Sequence, residues 1–246
     1  MRFEVCVDGV DGVLAARAAG ADRVELCCAL FEGGLTPSAG LLTTALAAAT
    51  TIDVNVLIRP RGGDFVYDRH EVRAMRHDIE LVAAAGAHGI VIGALTEDGD
   101  VDGPVCRELL SAAGGLSVTF HRAFDMVRRP LDALEAVIDL GVDRLLTSGQ
   151  ESTALEGAPL LAELVTAAAG RIVVMPGGGI TARNVRRVID QTGAREVHFS
   201  AATTVESPAR HRDTRATMGG ALRADEFRRR HTAQPTIESI IAAASS

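Results

Sequence analysis

The stretch FEVCVDGVDGVLAARAAGADRVELC, residues 3–27, contains the unit that decides the fold. A β-rich run at Phe3–Val7 is followed by a turn of Gly and Asp, an amphipathic stretch, Gly-Ala, and a second β-rich run at Asp22–Leu26. Strands that alternate with helices in this way are typical of a parallel sheet, because each helix carries the chain back to the end where the next strand begins.

The same unit recurs with a period of about 30 residues. The β runs are predicted at Phe3–Val7, Asp22–Leu26, Asp53–Ile58, Gly89–Gly93, Ser117–His121, Asp143–Thr147, Arg171–Met175 and Glu196–Ser200. Helices are predicted at about 9–19, 38–49, 68–86, 102–114, 130–140, 157–169, 181–192 and 236–245. Eight such units in 246 residues match an α/β fold with one closed (β/α)8 TIM barrel, so we expect a single domain over 1–246.

An open doubly wound sheet is the competing architecture. Its first turn would carry G-x-G-x-x-G, whereas the turn here is VDGVDG. The barrel is therefore the preferred prediction, and NAD is not expected as a cofactor.

The amino-acid composition excludes several classes of enzyme mechanism and binding partner. All 25 basic residues are Arg, which excludes a Schiff-base lysine, a pyridoxal-phosphate (PLP) lysine and a Walker A loop. The formal net charge of −7 argues against a nucleic acid or an anionic membrane as partner. The N-terminus MRFEVCVDG lacks the basic start and apolar run of a secretory signal, and no apolar run reaches the length of a membrane span, so we expect a cytoplasmic protein.

One interval departs from the repeat. Residues 201–235, after the eighth strand, are polar and rich in Arg. Charge runs of this kind are usually solvated, so the interval is predicted to be a loop over the barrel mouth or a contact between subunits.

Polar or sulfur-bearing side chains alternate with apolar ones on several predicted strands. They are Glu4 and Cys6, Glu25 and Cys27, Asn55, Thr119 and His121, and Glu196, His198 and Ser200. The outward face of a barrel strand packs under helices and must be apolar, so this polar set is predicted to face the barrel axis. Burying a carboxylate costs several kcal/mol unless a cation or a hydrogen-bond network compensates its charge. We therefore favour an internal functional site over a purely structural polar network.

Function in this fold is located at the carboxyl ends of the strands. After the third strand, Arg59, Arg61 and Asp64 surround two glycines, an arrangement that predicts an anion clamp. A structural alternative is a loop staple in which the two guanidiniums pair with Asp64.

The fifth strand ends in a second set of candidates. His121, Arg122 and Asp125 bring an imidazole, a guanidinium and a carboxylate to the mouth. We take His121, Asp125 and Glu25 as acid/base candidates and Arg122 as an anion holder, and we expect them to share one cavity with Arg59, Arg61 and Asp64. For His121 the alternative is a core histidine held by one hydrogen bond.

A third candidate lies after strands seven and eight. Gly177, Gly178 and Gly179 allow backbone N–H groups to approach a ligand, and Ser200 adds a hydroxyl. A helix predicted to begin near Thr181 would direct its positive end to the same place. This pattern predicts a phosphate or carboxylate site, although the triplet could equally serve chain geometry alone.

Several motifs, in order, resemble the CutC copper-homeostasis family along nearly the whole chain. They are FEVCVDGVDG, GADRVELC, EGGLTPS, IRPRGGDF, VTFHRAFD, LTSGQ, VMPGGGI and EVHFSA. The resemblance implies a cytosolic (β/α)8 barrel, often a homo-oligomer, that takes part in copper tolerance. In some members two cysteines bind Cu(I), and these match Cys6 and Cys27.

Neighbouring strands lie about 4.8 Å apart, so Cys6 and Cys27 are predicted to lie side by side at the mouth, with Cys28 outside their site. Two functions follow. One is copper homeostasis with Cu(I) bound by the two thiolates, for which a pair of inert buried thiols is the structural alternative. The other is an enzyme of unidentified reaction that acts on a small anionic molecule, for example a phosphorylated one.

Overall fold

The computed structural model describes residues 1–213, 215 and 226–245. The first eight strands are β1 (Arg2–Val7), β2 (Arg23–Leu26), β3 (Asp53–Leu57), β4 (Gly89–Ile92), β5 (Ser117–Phe120), β6 (Arg144–Thr147), β7 (Val173–Pro176) and β8 (Glu196–Phe199). The helices are α1 (Val10–Ala18), α2 (Ala39–Ala48), α3 (Arg69–Ala84), α4 (Gly103–Ala112), α5 (Pro130–Asp139), α6 (Ala158–Ala168), α7 (Val185–Thr192) and α8 (Gln234–Ser245).

The eight strands form one parallel sheet in the order β7-β6-β5-β4-β3-β2-β1-β8. A parallel bridge between Gly177 and His198 joins its two edges and nearly closes the barrel. The predicted (β/α)8 barrel is confirmed, with the strands in the predicted order and their ends within two residues of the predicted ones.

Local sequence signals explain where several helices begin. The side chain of Asp68 accepts hydrogen bonds from the backbone N–H groups of His70 and Glu71, and Glu71 completes a capping box at the start of α3. The side chain of Asp102 caps α4 by accepting a hydrogen bond from the backbone N–H of Val105. Pro130, which lacks an N–H, occupies the first turn of α5, where no partner for that group exists.

Apolar side chains of the strands pack outward under the helices. Val5, Val24, Val54 and Ile90 are fully buried and lie in the same hydrophobic core as helix residues such as Leu134. The opposite parity of the strands is left for the barrel interior, as the alternation predicts. Within the described residues, no helix combines the length and the apolar character that crossing a membrane requires.

The prediction of a polar loop over 201–235 is wrong for part of the interval. Strands β9 (Ala202–Glu206) and β10 (Arg228–Thr232) pair in an antiparallel ladder, and α8 begins at Gln234. In β9, Thr203 and Val205 are half-buried, whereas Thr204 and Glu206 are exposed. This alternation and the β-branched side chains are typical of a strand, and the prediction missed them because it relied on the number of charged residues. Positions 214 and 216–225 of the interval lie outside the described residues.

Candidate functional site

A cavity of about 690 Å3 lies at the carboxyl ends of the strands. Cys6 of β1, Glu25 of β2 and His198 of β8 line its floor. Arg59 and His121, which follow β3 and β5, line its side. The cavity therefore lies where function is expected in this fold.

Below the floor, the barrel interior holds a network of paired charges. The Arg23 guanidinium donates hydrogen bonds to Glu4 and to Glu196, both at 2.5 Å. Arg144 donates to the same Glu196 carboxylate at 3.0 Å. Burial by itself raises the pKa of Glu4, but the hydrogen bond from His198 and the charge of Arg23 outweigh it and lower that pKa to about 2. Glu4 is therefore held ionised, and both buried carboxylates have arginine partners.

The cavity floor carries a cluster of Cys6, Glu25 and His198. One ligand atom from each of the three lies within 4.8 Å of the other two, and all three side chains are buried. The Cys6 thiol donates to Glu25 Oε1 at 3.6 Å, and His198 Nδ1 lies 2.8 Å from Glu4 Oε1.

Cys27 lies directly beside this cluster. Its Sγ atom is 3.7 Å from the Sγ atom of Cys6, which confirms the predicted contact between the two thiols. Cys27 is fully buried and does not line the cavity, whereas Cys6 does. Cys28 points elsewhere and donates to the carbonyl of Thr36.

The pKa of each member of the cluster is raised, but the causes differ. The hydrogen bond with Cys27, followed by burial, raises the pKa of the Cys6 thiol well above its usual range. Burial raises the pKa of Glu25 to about 7, assisted by the charge of Glu4 and opposed by that of His198. Burial opposes the charge of His198, but hydrogen bonds to Cys6 and Glu4 raise its pKa well above 6.5.

On the side of the cavity, Arg59 and His121 share one aromatic neighbour. The Arg59 guanidinium lies 4.9 Å from the centre of the Phe65 ring, and that ring lies 5.1 Å from the His121 ring. The hydrogen bonds of Arg59 go to the backbone carbonyls of Glu32, Gly34 and Gly63, and within the described residues Arg59 forms no ion pair. A buried guanidinium without a carboxylate leaves a positive charge at this wall.

His121 is held as a neutral donor. Its Nδ1 accepts a hydrogen bond from the backbone N–H of Ala123, so in the neutral ring Nε2 carries the proton. Burial, followed by the charge of Arg59, lowers the pKa of His121 to about 3. Gly93 makes room for the ring, because a Cβ atom there would lie 2.5 Å from His121.

Three of the cavity-lining side chains have a buried polar atom without a partner. Within the described residues, Glu25 Oε2, Arg59 Nε and His121 Nε2 form no hydrogen bond. Buried polar groups are nearly always paired in folded proteins. Three of the six such unpaired side-chain atoms in the described residues line this one cavity, which favours a bound ligand there over a purely structural role.

The expectation that Arg61 and Asp64 share this cavity is wrong. Arg61 turns outward, pairs with Glu71 at 2.5 Å and with Asp64 at 3.0 Å, and lies over the Tyr67 ring. Arg61 and Asp64 form one half of the loop staple that the sequence allowed as an alternative, whereas Arg59 forms no ion pair with Asp64 within the described residues. The physical reason is the capping box of α3, since Glu71 lies within reach of Arg61 and draws the guanidinium away from the barrel axis.

Asp125 also lies outside the cavity lining and contributes indirectly. Its carboxylate accepts hydrogen bonds from Arg122 Nε at 2.7 Å and from the Ser148 hydroxyl at 2.9 Å, as well as from Thr147. Arg122 itself lines the cavity. Asp125 is therefore placed to position Arg122 and not to contact a ligand.

The glycine triplet is only partly as predicted. Gly178, Gly179 and Ser200 line the cavity, while Gly177 packs against His198. The helix expected near Thr181 begins instead at Val185. Asn184 Oδ1 accepts the Thr181 N–H, so residues 181–184 form a turn and the positive end of the helix is displaced from the triplet.

Three cavity residues with titratable or charged side chains were not named as catalytic, anion-binding or metal-binding candidates, although His198 was predicted to face the barrel axis. The alternation along the strand predicted the inward direction of His198, together with Glu196 and Ser200, but did not assign it a role in the site. Arg183 and Arg230 line the rim of the cavity. Arg230 belongs to β10, so its position depended on a hairpin that the sequence did not predict.

These features define a class: a (β/α)8-barrel protein with a thiol, a carboxyl and an imidazole grouped at the floor of a cavity rich in arginine. The model of the CutC family matches residues 1–203. A CutC family protein from Bacteroides thetaiotaomicron is 50% identical over 240 residues, which cover 97% of this chain and 96% of the relative. The chain belongs to the CutC family.

Two further comparisons agree with this assignment. The human copper homeostasis protein cutC homolog is 50% identical over 225 residues, covering 92% of this chain and 82% of that protein. The crystal structure of CutC from Streptococcus agalactiae aligns with a TM-score of 0.78 at 33% identity, over 81% of this chain and 98% of the other. A phosphoribosylanthranilate isomerase from Thermotoga maritima, at 12% identity and a TM-score of 0.58 over 100% of this chain and 98% of the other, shares the fold alone.

Proposed function

We propose that this protein acts in copper homeostasis by binding Cu(I) through the thiolates of Cys6 and Cys27. The observation that carries the proposal is the 3.7 Å distance between the two Sγ atoms, one on each of two neighbouring strands. Two metal–sulfur bonds of about 2.3 Å span such a distance. Soft thiolate ligands favour Cu(I) over harder ions, and relatives of this chain are named copper homeostasis proteins.

The surroundings of the pair support a soft ion. Leu57 and Val91 pack against the two cysteines and keep bulk water away from Cys27. Burial and the shared hydrogen bond keep the proton on Cys6 when no ion is bound. A Cu(I) ion would replace that proton, so binding is expected to strengthen as the pH rises.

Chelator competition tests the copper site. Cu(I) is titrated into the reduced protein against a chromogenic Cu(I) chelator, and the tight site should disappear in Cys6→Ser and in Cys27→Ser. Cys106→Ser is the matched control, because Cys106 is also fully buried but lies on α4, away from the pair. The same affinity in all three variants and the wild type would rule out the thiolate pair as the Cu(I) site.

A second candidate function is favoured by the unpaired atoms of Glu25, Arg59 and His121. We propose that the cavity binds a small anionic molecule and that the protein is an enzyme acting on it. Arg59 and Arg122 would hold the anion together with Gly178, Gly179 and Ser200, through charge-assisted hydrogen bonds. Glu25 and His121 are the acid/base candidates, and Asp125 supports Arg122.

Thermal shift measurements test the anion site. Inorganic phosphate and a panel of phosphorylated and carboxylated metabolites should raise the melting temperature of the wild type. Arg59→Gln should abolish the shift, whereas Arg61→Gln, from the same loop but outside the cavity, should retain it. Gly178→Val should also abolish it, because Gly178 has φ +108° and a Cβ there would approach Ser148 and Arg122. If no anion shifts the wild type, the glycine triplet is only a turn.

The cytoplasmic location and the homo-oligomer implied by the family resemblance remain part of this proposal. Cell fractionation with an antibody against the chain tests the location. Light scattering coupled to size-exclusion chromatography tests the assembly, and a mass equal to that of one chain at micromolar concentration would exclude a stable homo-oligomer.

A further inference from the structure

The cluster of Cys6, Glu25 and His198 is a ligand set of a different kind from the thiol pair. It offers one sulfur, one carboxylate oxygen and one imidazole nitrogen, all within 4.8 Å of one another. The three residues come from β1, β2 and β8, so the barrel itself fixes their relative positions. A mixed sulfur, oxygen and nitrogen set matches Zn²⁺, which cysteine, histidine and carboxylates all bind.

Two independent observations point to an ion at this cluster. Glu25 Oε2 has no hydrogen-bond partner within the described residues, although the side chain is only 5% exposed and faces the cavity. His198 Nδ1 is held by Glu4 at 2.8 Å, which leaves the other ring nitrogen for a ligand role. Metal-binding histidines commonly have a carboxylate on the second ring nitrogen, because that contact fixes the ring and raises its basicity.

We propose that Cys6, Glu25 and His198 bind a Zn²⁺ ion whose fourth coordination position opens into the cavity. Binding would release to solvent the Cys6 thiol proton and any proton carried by the Glu25 carboxyl or by the ligating nitrogen of His198, and no oxidant or reductant is involved. Three protein ligands with one open position are typical of zinc sites that also receive a substrate. Arg59 and Arg122 on the cavity wall would favour an anionic group at that position.

This inference is independent of the Cu(I) proposal, although the two sites share Cys6. A Cys6 thiolate that belongs to Zn²⁺ with Glu25 and His198 cannot at the same time complete the two-cysteine Cu(I) site. The two ions should therefore exclude one another. If the anion-binding proposal is also correct, the anion would lie next to the zinc ion at the cavity floor.

Cobalt(II) is the probe that tests the zinc site, because it takes the same ligands and absorbs light when bound by a thiolate. Co²⁺ is titrated into the reduced, chelator-treated full-length protein. The wild type should develop a thiolate-to-cobalt charge-transfer band at one equivalent, together with the visible bands of a four-coordinate ion, and Zn²⁺ should remove both. Absence of the charge-transfer band in the wild type would overturn the proposal.

Matched variants separate this site from the Cu(I) pair. Glu25→Gln should weaken Co²⁺ binding at least about tenfold and retain tight Cu(I) binding, whereas Cys27→Ser should lose tight Cu(I) binding and keep the cobalt spectrum. Cys6→Ser should lose both. Equal Co²⁺ affinity in the wild type and Glu25→Gln would overturn the zinc site alone, and Cu(I) binding that survives Cys27→Ser would overturn the copper pair alone.

Two controls keep the outcome clear. Circular dichroism and a melting curve recorded with chelator establish that each variant is folded before metal is added. In the wild type, one equivalent of Cu(I) should bleach the cobalt spectrum, whereas in Cys27→Ser it should not. Retention of the cobalt spectrum in Cu(I)-loaded wild type would show that the two ions occupy separate ligands, contrary to the proposal.

Discussion

The barrel interior contains two polar layers that differ in how their charges are partnered. Near the amino ends of the strands, Glu4 and Glu196 share Arg23. Toward the carboxyl ends, Glu25, Arg59 and His121 each keep a buried atom for which the described part of the chain supplies no partner. The comparison teaches that a buried carboxyl is not by itself a sign of function, because what matters is whether the fold already supplies its partner.

The two buried glutamates show the difference most directly. Glu4 and Glu25 lie on adjacent strands and are both almost fully buried. The pKa of Glu4 is lowered to about 2, where hydrogen bonds from His198 and Arg23 outweigh its burial, whereas burial raises the pKa of Glu25 to about 7. The ionised Glu4 is thus expected to stabilise the folded protein, whereas the ionised Glu25 is expected to destabilise it.

The largest effect is expected for Glu4→Gln. A neutral amide here removes the charge that faces His198 and leaves Arg23 with one carboxylate partner, Glu196, instead of two. Breaking a buried pair in this way costs about 3–5 kcal/mol. Urea unfolding at pH 7 should show this loss. Because the folded pKa of Glu4 lies below the unfolded value of 4.5, the difference between wild type and variant should shrink as the pH falls from 4.5 toward 2.

The matched control for that loss is Glu135→Gln. Glu135 pairs with Arg171 at 2.7 Å, but both side chains are about half exposed, and surface pairs contribute little. A loss in Glu4→Gln no larger than in Glu135→Gln would mean that the paired layer is energetically no different from the surface.

The second largest effect on stability is expected for Glu25→Gln, and it is an increase. Glu25→Gln should stabilise the protein at pH 8 by roughly 1–3 kcal/mol, since a neutral amide of the same shape removes a charge that burial disfavours. The folded pKa of about 7 exceeds the unfolded value of 4.5, so wild-type stability is lost as the pH rises through this range.

The pH profile of unfolding, measured in chelator, checks the Glu25 prediction. The advantage of Glu25→Gln should be complete above pH 7 and should disappear toward pH 4.5. A variant that is less stable than the wild type at pH 8 would show that the ionised carboxylate has a favourable partner after all.

The sequence predicted the fold more fully than the site, for a physical reason. The eight strands follow from the β/α repeat, and the inward set of Glu4, Cys6 and Glu25 follows from a period of two, both of which are local patterns. Whether a side chain on a loop turns inward depends on contacts that no local pattern contains.

Arg59 and Arg61 illustrate that limit. They are two residues apart in one motif, yet Arg59 enters the cavity and Arg61 is held outside by Glu71, ten residues further along the chain. Arg230 is a longer-range case, because it reaches the rim only through the pairing of β9 with β10. The sequence could supply such residues as candidates but could not select among them.

The smallest expected effect concerns His121, on the unpaired side of the comparison. Burial, together with the charge of Arg59, lowers its folded pKa to about 3, whereas in the unfolded chain it titrates near 6.5. As the pH falls below 6.5, His121 becomes protonated in the unfolded chain but stays neutral in the folded protein. The free energy of unfolding therefore decreases from pH 6.5 downward. His121→Gln removes this group, and between pH 7 and pH 5 the variant should therefore lose about 1–2 kcal/mol less stability than the wild type. The comparison is of slopes, because Gln packs differently against Phe65 and shifts both ends of the curve alike. Equal slopes in wild type and variant would mean that His121 accepts a proton while folded, in which case it belongs with the partnered layer and not with the cavity.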